Sequence, residues 1–206
     1  MILLIRSILF VLLTNWAEIT PANLQNKPLR VFMAGKVAKG EEIGCIKDWR
    51  VACIEKLTKV RKFEFISPEN PKLDESKPFT VFGYACKLIR DSDFVLVDAS
   101  RRLGVGTAQE MIIAKYFDKH ILTILPRNTY HRRTNLQMYD VLVEDWIHPF
   151  ISTLSDYIFG SIEEVADFLI EHPNFLAIEP KKLSIINEAI ASYEAIPAVE
   201  EACKPK

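Results

Sequence analysis

The stretch Val95-Leu-Val-Asp98-Ala-Ser100-Arg-Arg-Leu-Gly104-Val-Gly106-Thr-Ala-Gln-Glu110 restricts the architectures open to this chain more than any other. Its opening strand is apolar at consecutive positions, the pattern of a strand covered on both faces. The strand runs into a polar tip, then a glycine turn, then a helix. Two glycines let the backbone pass close to a ligand. The free N–H groups and positive dipole end of the following helix suit an anion, most often phosphate. Glu110 falls four residues after Gly106, about one helical turn in, and so faces the same mouth. A carboxylate is a poor partner for phosphate alone. It makes sense if it acts on another part of the ligand, such as a ribose.

The rest of the chain alternates strands and helices. A first strand is expected over Leu29–Ala34, followed by a glycine-rich loop over Lys36–Gly44. Trp49, Ala52, Cys53, Leu57 and Val60 recur at helical spacing within Ile46–Val60. Phe63–Ser67 reads as a strand that Pro68-Glu-Asn-Pro71 stops. Phe79–Asp91 reads as a helix with Phe82, Ala85, Cys86 and Ile89 inward. After the third strand come a helix over Thr107–Lys119 and a fourth strand over Ile121–Leu125. Pro126–Gln137 reads as a long basic loop, Tyr139–Val143 as a short strand or helical turn, and Trp146–Pro149 as a break. Asp156–Phe159 is the fifth strand; Ser161 and Glu164 form a capping box for a helix over Ile162–Glu171. A last amphipathic helix spans Leu183–Ala195. This order implies a parallel sheet with helices on both faces. The division is an apolar segment 1–27, an α/β domain 28–175, and a helix and tail 176–206.

In such sheets the ligand sits beyond the carboxyl ends of the strands, where strand order reverses. Those ends are Ala34-Gly35-Lys36, Ser67–Asn70, Asp98–Gly106 and Pro126–Arg133. Glu110 reads either as a solvated first-turn glutamate or as a nucleophile or general base near an anomeric carbon. Asp98 reads as a ligand contact or as a cap on the next turn. Ala34, Gly35, Lys36, Asn70, Ser100, Gly104, Val105, Gly106 and Thr107 are the candidate substrate contacts. Arg127, His131, Arg132 and Arg133 are candidate phosphate partners, with a solvated loop or subunit contacts as the other reading.

Charge narrows the partner. A net charge of −1 gives no electrostatic case for a nucleic-acid polymer or an acidic membrane surface. A small molecule or a second copy of the chain fits better. Cys45, Cys53, Cys86 and Cys203 have no metal-ligand spacing and no CxxC pair, so no metal is expected and reduced thiols in the cytoplasm are. Ile2–Leu13 is nearly all apolar yet short for a membrane span. It reads as a helix packed on the domain or a second subunit, as a signal peptide, or as the product of an upstream start.

The ordered set Val31-Phe-Met-Ala-Gly35, Phe65-Ile-Ser-Pro68, Leu88-Ile-Arg-Asp-Ser-Asp93-Phe-Val-Leu-Val-Asp98 and Gly106-Thr-Ala-Gln-Glu110 resembles the nucleoside 2-deoxyribosyltransferase family. That family includes the 2′-deoxynucleoside 5′-phosphate N-hydrolases and CMP-type N-glycosidases. The likeness spans Leu29 to Pro126, with a looser tail to His172. It implies a flavodoxin-like three-layer α/β/α sandwich on a five-stranded parallel sheet. It also implies a homodimer or larger assembly, a nucleophile at Glu110, a ligand loop at Gly104–Thr107 and base and sugar contacts at Ala34-Gly35-Lys36. The chain departs from the family at two points. Val31-Phe32 lacks the usual tyrosine hydroxyl, and Tyr84-Ala-Cys-Lys87 lacks the usual second acid. Lys87, Asp98, Asp91, the base itself or another subunit then remain as sources of the leaving-group proton. Gly-x-Gly-Thr-x-x-Glu is similar also to the motif of the cytokinin-activating phosphoribohydrolases, without their first glycine pair. Both resemblances imply N-glycosidic bond chemistry on a nucleoside or nucleotide without a cofactor. A non-catalytic nucleotide sensor on the same fold is the alternative.

Overall fold

The computed structural model describes residues 27–37 and 48–196. The apolar segment Ile2–Leu13, most of the loop after the first strand, Cys45, Cys203 and the tail beyond Ile196 lie outside the described residues. The described chain runs β1 (Leu29–Ala34), α1 (Trp49–Leu57), β2 (Phe63–Ile66), α2 (Pro78–Arg90), β3 (Phe94–Asp98) and α3 (Val105–Tyr116). It continues through β4 (His120–Ile124), β5 (Arg132–Met138), β6 (Val141–Ile147), α4 (Pro149–Leu154), β7 (Tyr157–Phe159), α5 (Ile162–Glu171) and α6 (Ile185–Glu194). A short 3₁₀ turn, Phe175–Ala177, lies between the last two helices.

Strands β2-β1-β3-β4-β7 form one five-stranded sheet, parallel throughout. Alternation along each strand divides its side chains between two apolar layers. Val31, Met33, Phe94, Leu96 and Leu122 pack with Cys53 and Leu57 of α1 and with Val165 and Leu169 of α5. Phe32, Ala34, Val95, Val97 and Ile121 pack with Ile89 of α2 and with Met111 and Ala114 of α3. The expected three-layer sandwich with a flavodoxin-like strand order is therefore present. Strand order reverses between β1 and β3, and their carboxyl ends open on one edge.

Three local expectations need correction. The stretch read as a loop from Pro126 to Gln137 holds β5, which pairs antiparallel with β6 from Arg132↔Ile147 to Met138↔Val141. Its strands are mostly exposed, so no apolar alternation marks them. Phe82 does not turn inward on α2: it is 55% exposed, and Ile89 is the residue that α2 buries. At α5 Ser161 is the cap as expected, but the reciprocal bond from Glu164 reaches Gly160 instead of Ser161. Ser161 Oγ accepts the Glu164 N–H, while the Glu164 carboxylate accepts the Gly160 N–H.

Helix α3 is tied down at its far end. Lys115 is fully buried, and its Nζ donates to Asp156 and to the Lys119 carbonyl. The same Asp156 oxygen accepts the Ile121 N–H at the start of β4, and its other oxygen accepts the Lys181 N–H. Burial pulls the Lys115 pKa down, and Asp156 pulls it back up. Among the described residues no helix is long and apolar enough to cross a membrane.

Candidate active site

Where strand order reverses, a cleft of about 1530 Å³ opens at the carboxyl edge of the sheet. One wall is the end of β1 and the start of α1. The second is the β2–α2 connection with one side of α2. The third is the β3–α3 bend with the first turns of α3.

The bend begins at Asp98, which is 6% exposed and accepts the Ser100 N–H on Oδ1 at 3.0 Å. That bond turns the chain outward from the sheet. Gly104 is the N-cap of α3 in extended conformation (φ −78°, ψ 163°), and no side chain caps the helix. A Cβ added at Gly104 or Gly106 would meet nothing within 4 Å. The space in front of the first α3 amides is therefore open to an anion.

Glu110 lies one turn along and is half-buried on the cleft wall. Among the described residues no group hydrogen-bonds its carboxylate. Burial pushes its pKa up from 4.5 to about 7, against an opposing pull from the Arg50 charge. A helix-surface glutamate paired with a lysine would behave otherwise. This carboxylate is desolvated and, among the described residues, unpaired on the cleft wall.

Arg50 is the residue that the sequence reading passed over. It is 4% exposed, and its N–H is capped by Asp48 at 3.0 Å. The guanidinium donates to the carbonyls of Met33 (3.3 Å), Gly35 (3.2 Å) and Lys36 (3.3 Å), and to Asp48 Oδ1 (3.2 Å). It thus shapes the turn after β1 and sets a positive charge behind the cleft. It also stacks 5.0 Å from the Trp49 ring. Trp49 lines the cleft rather than packing wholly in the core, and its indole covers Gly35. A Cβ at Gly35 would lie 2.8 Å from the ring. Gly35→Ala should therefore swing the indole away from Arg50, costing about 1–3 kcal/mol of stability. Chemical denaturation and a red shift of tryptophan emission check this.

Of the expected contacts, Gly35, Lys36, Asn70, Ser100, Gly104, Gly106 and Thr107 line the cleft with Asp98 and Glu110. Ala34 is buried in the core, and Val105 is 82% exposed to solvent; neither lines it. The basic group after β4 does not converge on the cleft either. Arg132 pairs with Asp145 at 2.6 Å, Arg127 approaches the same carboxylate at 3.8 Å, and Arg133 lies over the Tyr130 ring. His131 accepts a backbone N–H from the bend. Lys87 and Asp91, weighed as proton sources, pair with each other at 2.6 Å away from the cleft. Arg90 and Lys87 hold the Asp91 pKa at about 2, so it has no proton to give at neutral pH. Asp48, Glu69 and Glu75 line the cleft instead. Burial pushes the Cys53 thiol up to about 12, which leaves it a small core group without nucleophilic character. Among the described residues no group of three or more His, Cys, Asp or Glu side chains could hold a metal ion.

No protein-family model matches the sequence, and no curated protein matches it. Solved structures do. The chain is similar to a 2-desoxiribosyltransferase from Leishmania mexicana, at 20% identity and a TM-score of 0.50, over 70% of this chain and 99% of that one. A 2-deoxyribosyltransferase from Bacillus psychrosaccharolyticus matches at 14% identity and a TM-score of 0.47, over 74% and 98% of the two chains. A CMP N-glycosidase from Clostridium botulinum matches at 17% identity and a TM-score of 0.37, over 68% and 97%. The Leishmania structure identifies the fold.

Proposed function

We propose that this chain cleaves or transfers the N-glycosidic bond of a nucleoside or nucleoside 5′-monophosphate, with Glu110 as nucleophile. The observation that carries the reading is the unpaired, desolvated Glu110 carboxylate in a cleft beside the open amide end of its own helix. The 2-desoxiribosyltransferase fold supports it. A Glu110 oxygen bonds to C1′ as the C1′–N bond breaks, and the electron pair leaves with the base, which takes up a proton. Water or a second base then attacks C1′ and releases the carboxylate. Thr107 and the amides of the Gly104–Thr107 bend hold the sugar or its phosphate. Gly35 and Lys36 close the opposite side, and Asp98 orients the ribose. The leaving base takes that proton from water in the open cleft. The reading includes a homodimer or larger assembly, supported by exposed Phe79 and Tyr116 on α2 and α3. Free Cys53 and Cys86 support a reducing, cytoplasmic setting.

The test is incubation with a panel of nucleosides and 5′-monophosphates, with free base followed by chromatography. Release that survives in Glu110→Ala would exclude this mechanism. Binding without release would instead favour a sensor. Because only the ionised carboxylate attacks, kcat/KM should fall about tenfold per pH unit below about 7, as Glu110 takes up its proton. A pH–rate profile from pH 5 to 9 checks that limb.

A further inference from the structure

His131 lies just ahead of β5, is 7% exposed, and is in contact with the ligand bend 28 positions earlier in the chain. Its Nε2 accepts the Leu103 N–H at 2.9 Å. Leu103 is the residue before Gly104, the N-cap of α3. A ring nitrogen that accepts carries no proton, so this imidazole is neutral with its hydrogen on Nδ1. Among the described residues Nδ1 is buried without a partner. The His131 carbonyl accepts the His148 N–H at 2.9 Å, which fixes the residue to the mouth of the β5–β6 ribbon.

The groups around the ring all bear on a second proton. His148, at the start of α4, lies 5.5 Å away ring to ring, and Tyr130 lies edge-on at 4.9 Å. Arg102, next to Leu103, and Arg133, on β5, both sit over the Tyr130 ring. A protonated His131 would set two N–H donors head to head at Leu103, next to the Arg102 charge. Burial first, then His148 and Arg102, lowers the His131 pKa from 6.5.

We propose that neutral His131 is a positioning residue that latches the Gly104–Thr107 bend in its ligand-holding shape, and that its protonation frees the bend and weakens sugar or phosphate binding. The consequence for binding rests on the proposed function; the latch itself does not. Two variants separate the roles. His131→Gln keeps an acceptor and does not titrate, whereas His131→Phe keeps the ring volume and has no acceptor.

The Leu103 amide is followed by ¹⁵N–¹H NMR and hydrogen exchange from pH 5 to 8. In the unsubstituted protein its resonance should move with the His131 ring, at a midpoint below 6.5. In His131→Gln it should stay still and protected, and in His131→Phe exchange should speed up about tenfold or more. Binding is then measured in a Glu110→Gln background, which removes the Glu110 titration, with the four common 2′-deoxynucleoside 5′-monophosphates, whose own phosphate titration near about pH 6 is common to all the variants compared. Affinity should fall up to about tenfold per pH unit below the His131 midpoint, and adding His131→Gln should flatten that dependence. A Leu103 amide that ignores the His131 titration overturns the latch, whatever the activity. So does a His131→Phe protein with full protection and affinity. If His131→Phe does not fold, the flattening by His131→Gln decides. A protein that releases no base and binds none of the nucleotides, while Leu103 tracks His131, loses the site reading and keeps the latch.

Discussion

Glu110→Gln should lower kcat/KM for base release at least about a thousandfold, or about 4 kcal/mol of transition-state stabilisation, and at the same time make the protein more stable above pH 7. The two effects have one origin. Glutamine has the shape of glutamate but cannot attack C1′. It also removes a charge that the fold keeps out of water. The sign follows from the pKa of Glu110, raised from 4.5 to about 7. Below 4.5 folded and unfolded chains both hold the proton, and the carboxyl group costs nothing. Between 4.5 and about 7 the unfolded chain gives up its proton while the folded one keeps it, so stability declines as pH rises. Above about 7 the full cost stands. The stability gain of Glu110→Gln should thus vanish near pH 4 and be largest above pH 7. Thermal unfolding at both ends of that range, beside base-release kinetics, checks it. A glutamate that merely capped or decorated α3 would lose a little stability on substitution and leave turnover intact.

The second large effect is expected at Arg50. Arg50→Met leaves the carbonyls of Met33, Gly35 and Lys36 without their guanidinium donor. Buried acceptors stripped of a charged partner cost about 2–4 kcal/mol in total. The change also removes the charge that lowers the Glu110 pKa, so the acid limb of kcat/KM should move above about 7. Arg50→Lys restores a charge but not the planar fork. It should return the limb toward its original position while recovering only part of the stability. Urea unfolding and pH–rate profiles on both variants separate the electrostatic role from the structural one. A limb that stays put in Arg50→Met means that the guanidinium shapes the β1 turn and does nothing more.

Much of this architecture could be read from residue types. The run Phe94–Val97 is apolar at every position because helices cover both its faces, and the structure buries all of it. The glycine bend and Glu110 were legible because strand, turn and helix each carry a local signature. Arg50 was not, because an arginine at the start of a helix reads as solvated. Only the meeting of α1 with the end of β1 encloses it. Trp49 illustrates the same limit: helical spacing shows that a face of α1 is covered, not what covers it, and Trp49 lines the cleft. Phe82 departs from its expected inward position in the same sense, since α2 has apolar residues toward both the sheet and the cleft and Phe82 lines the cleft. Strand β5 reads as loop because Arg132, Arg133 and its polar neighbours give it that composition, whereas β6 overlaps the short strand expected over Tyr139–Val143 and runs on through Glu144 and Asp145. His131 was singled out for its charge and turned out to matter as an uncharged acceptor.

Helix α3 is held at both extremities, by the imidazole in front and by the enclosed lysine–aspartate pair behind. A beam clamped twice neither slides nor tilts, so the Glu110 carboxylate has a nearly constant address in the molecule. Accommodation of guests of different girth then falls to the facing rim, formed by residues 35–37 and 68–85. Exchanges at Leu73, Val81 or Phe82 on that rim should change which guest binds more than they change the step proposed for Glu110.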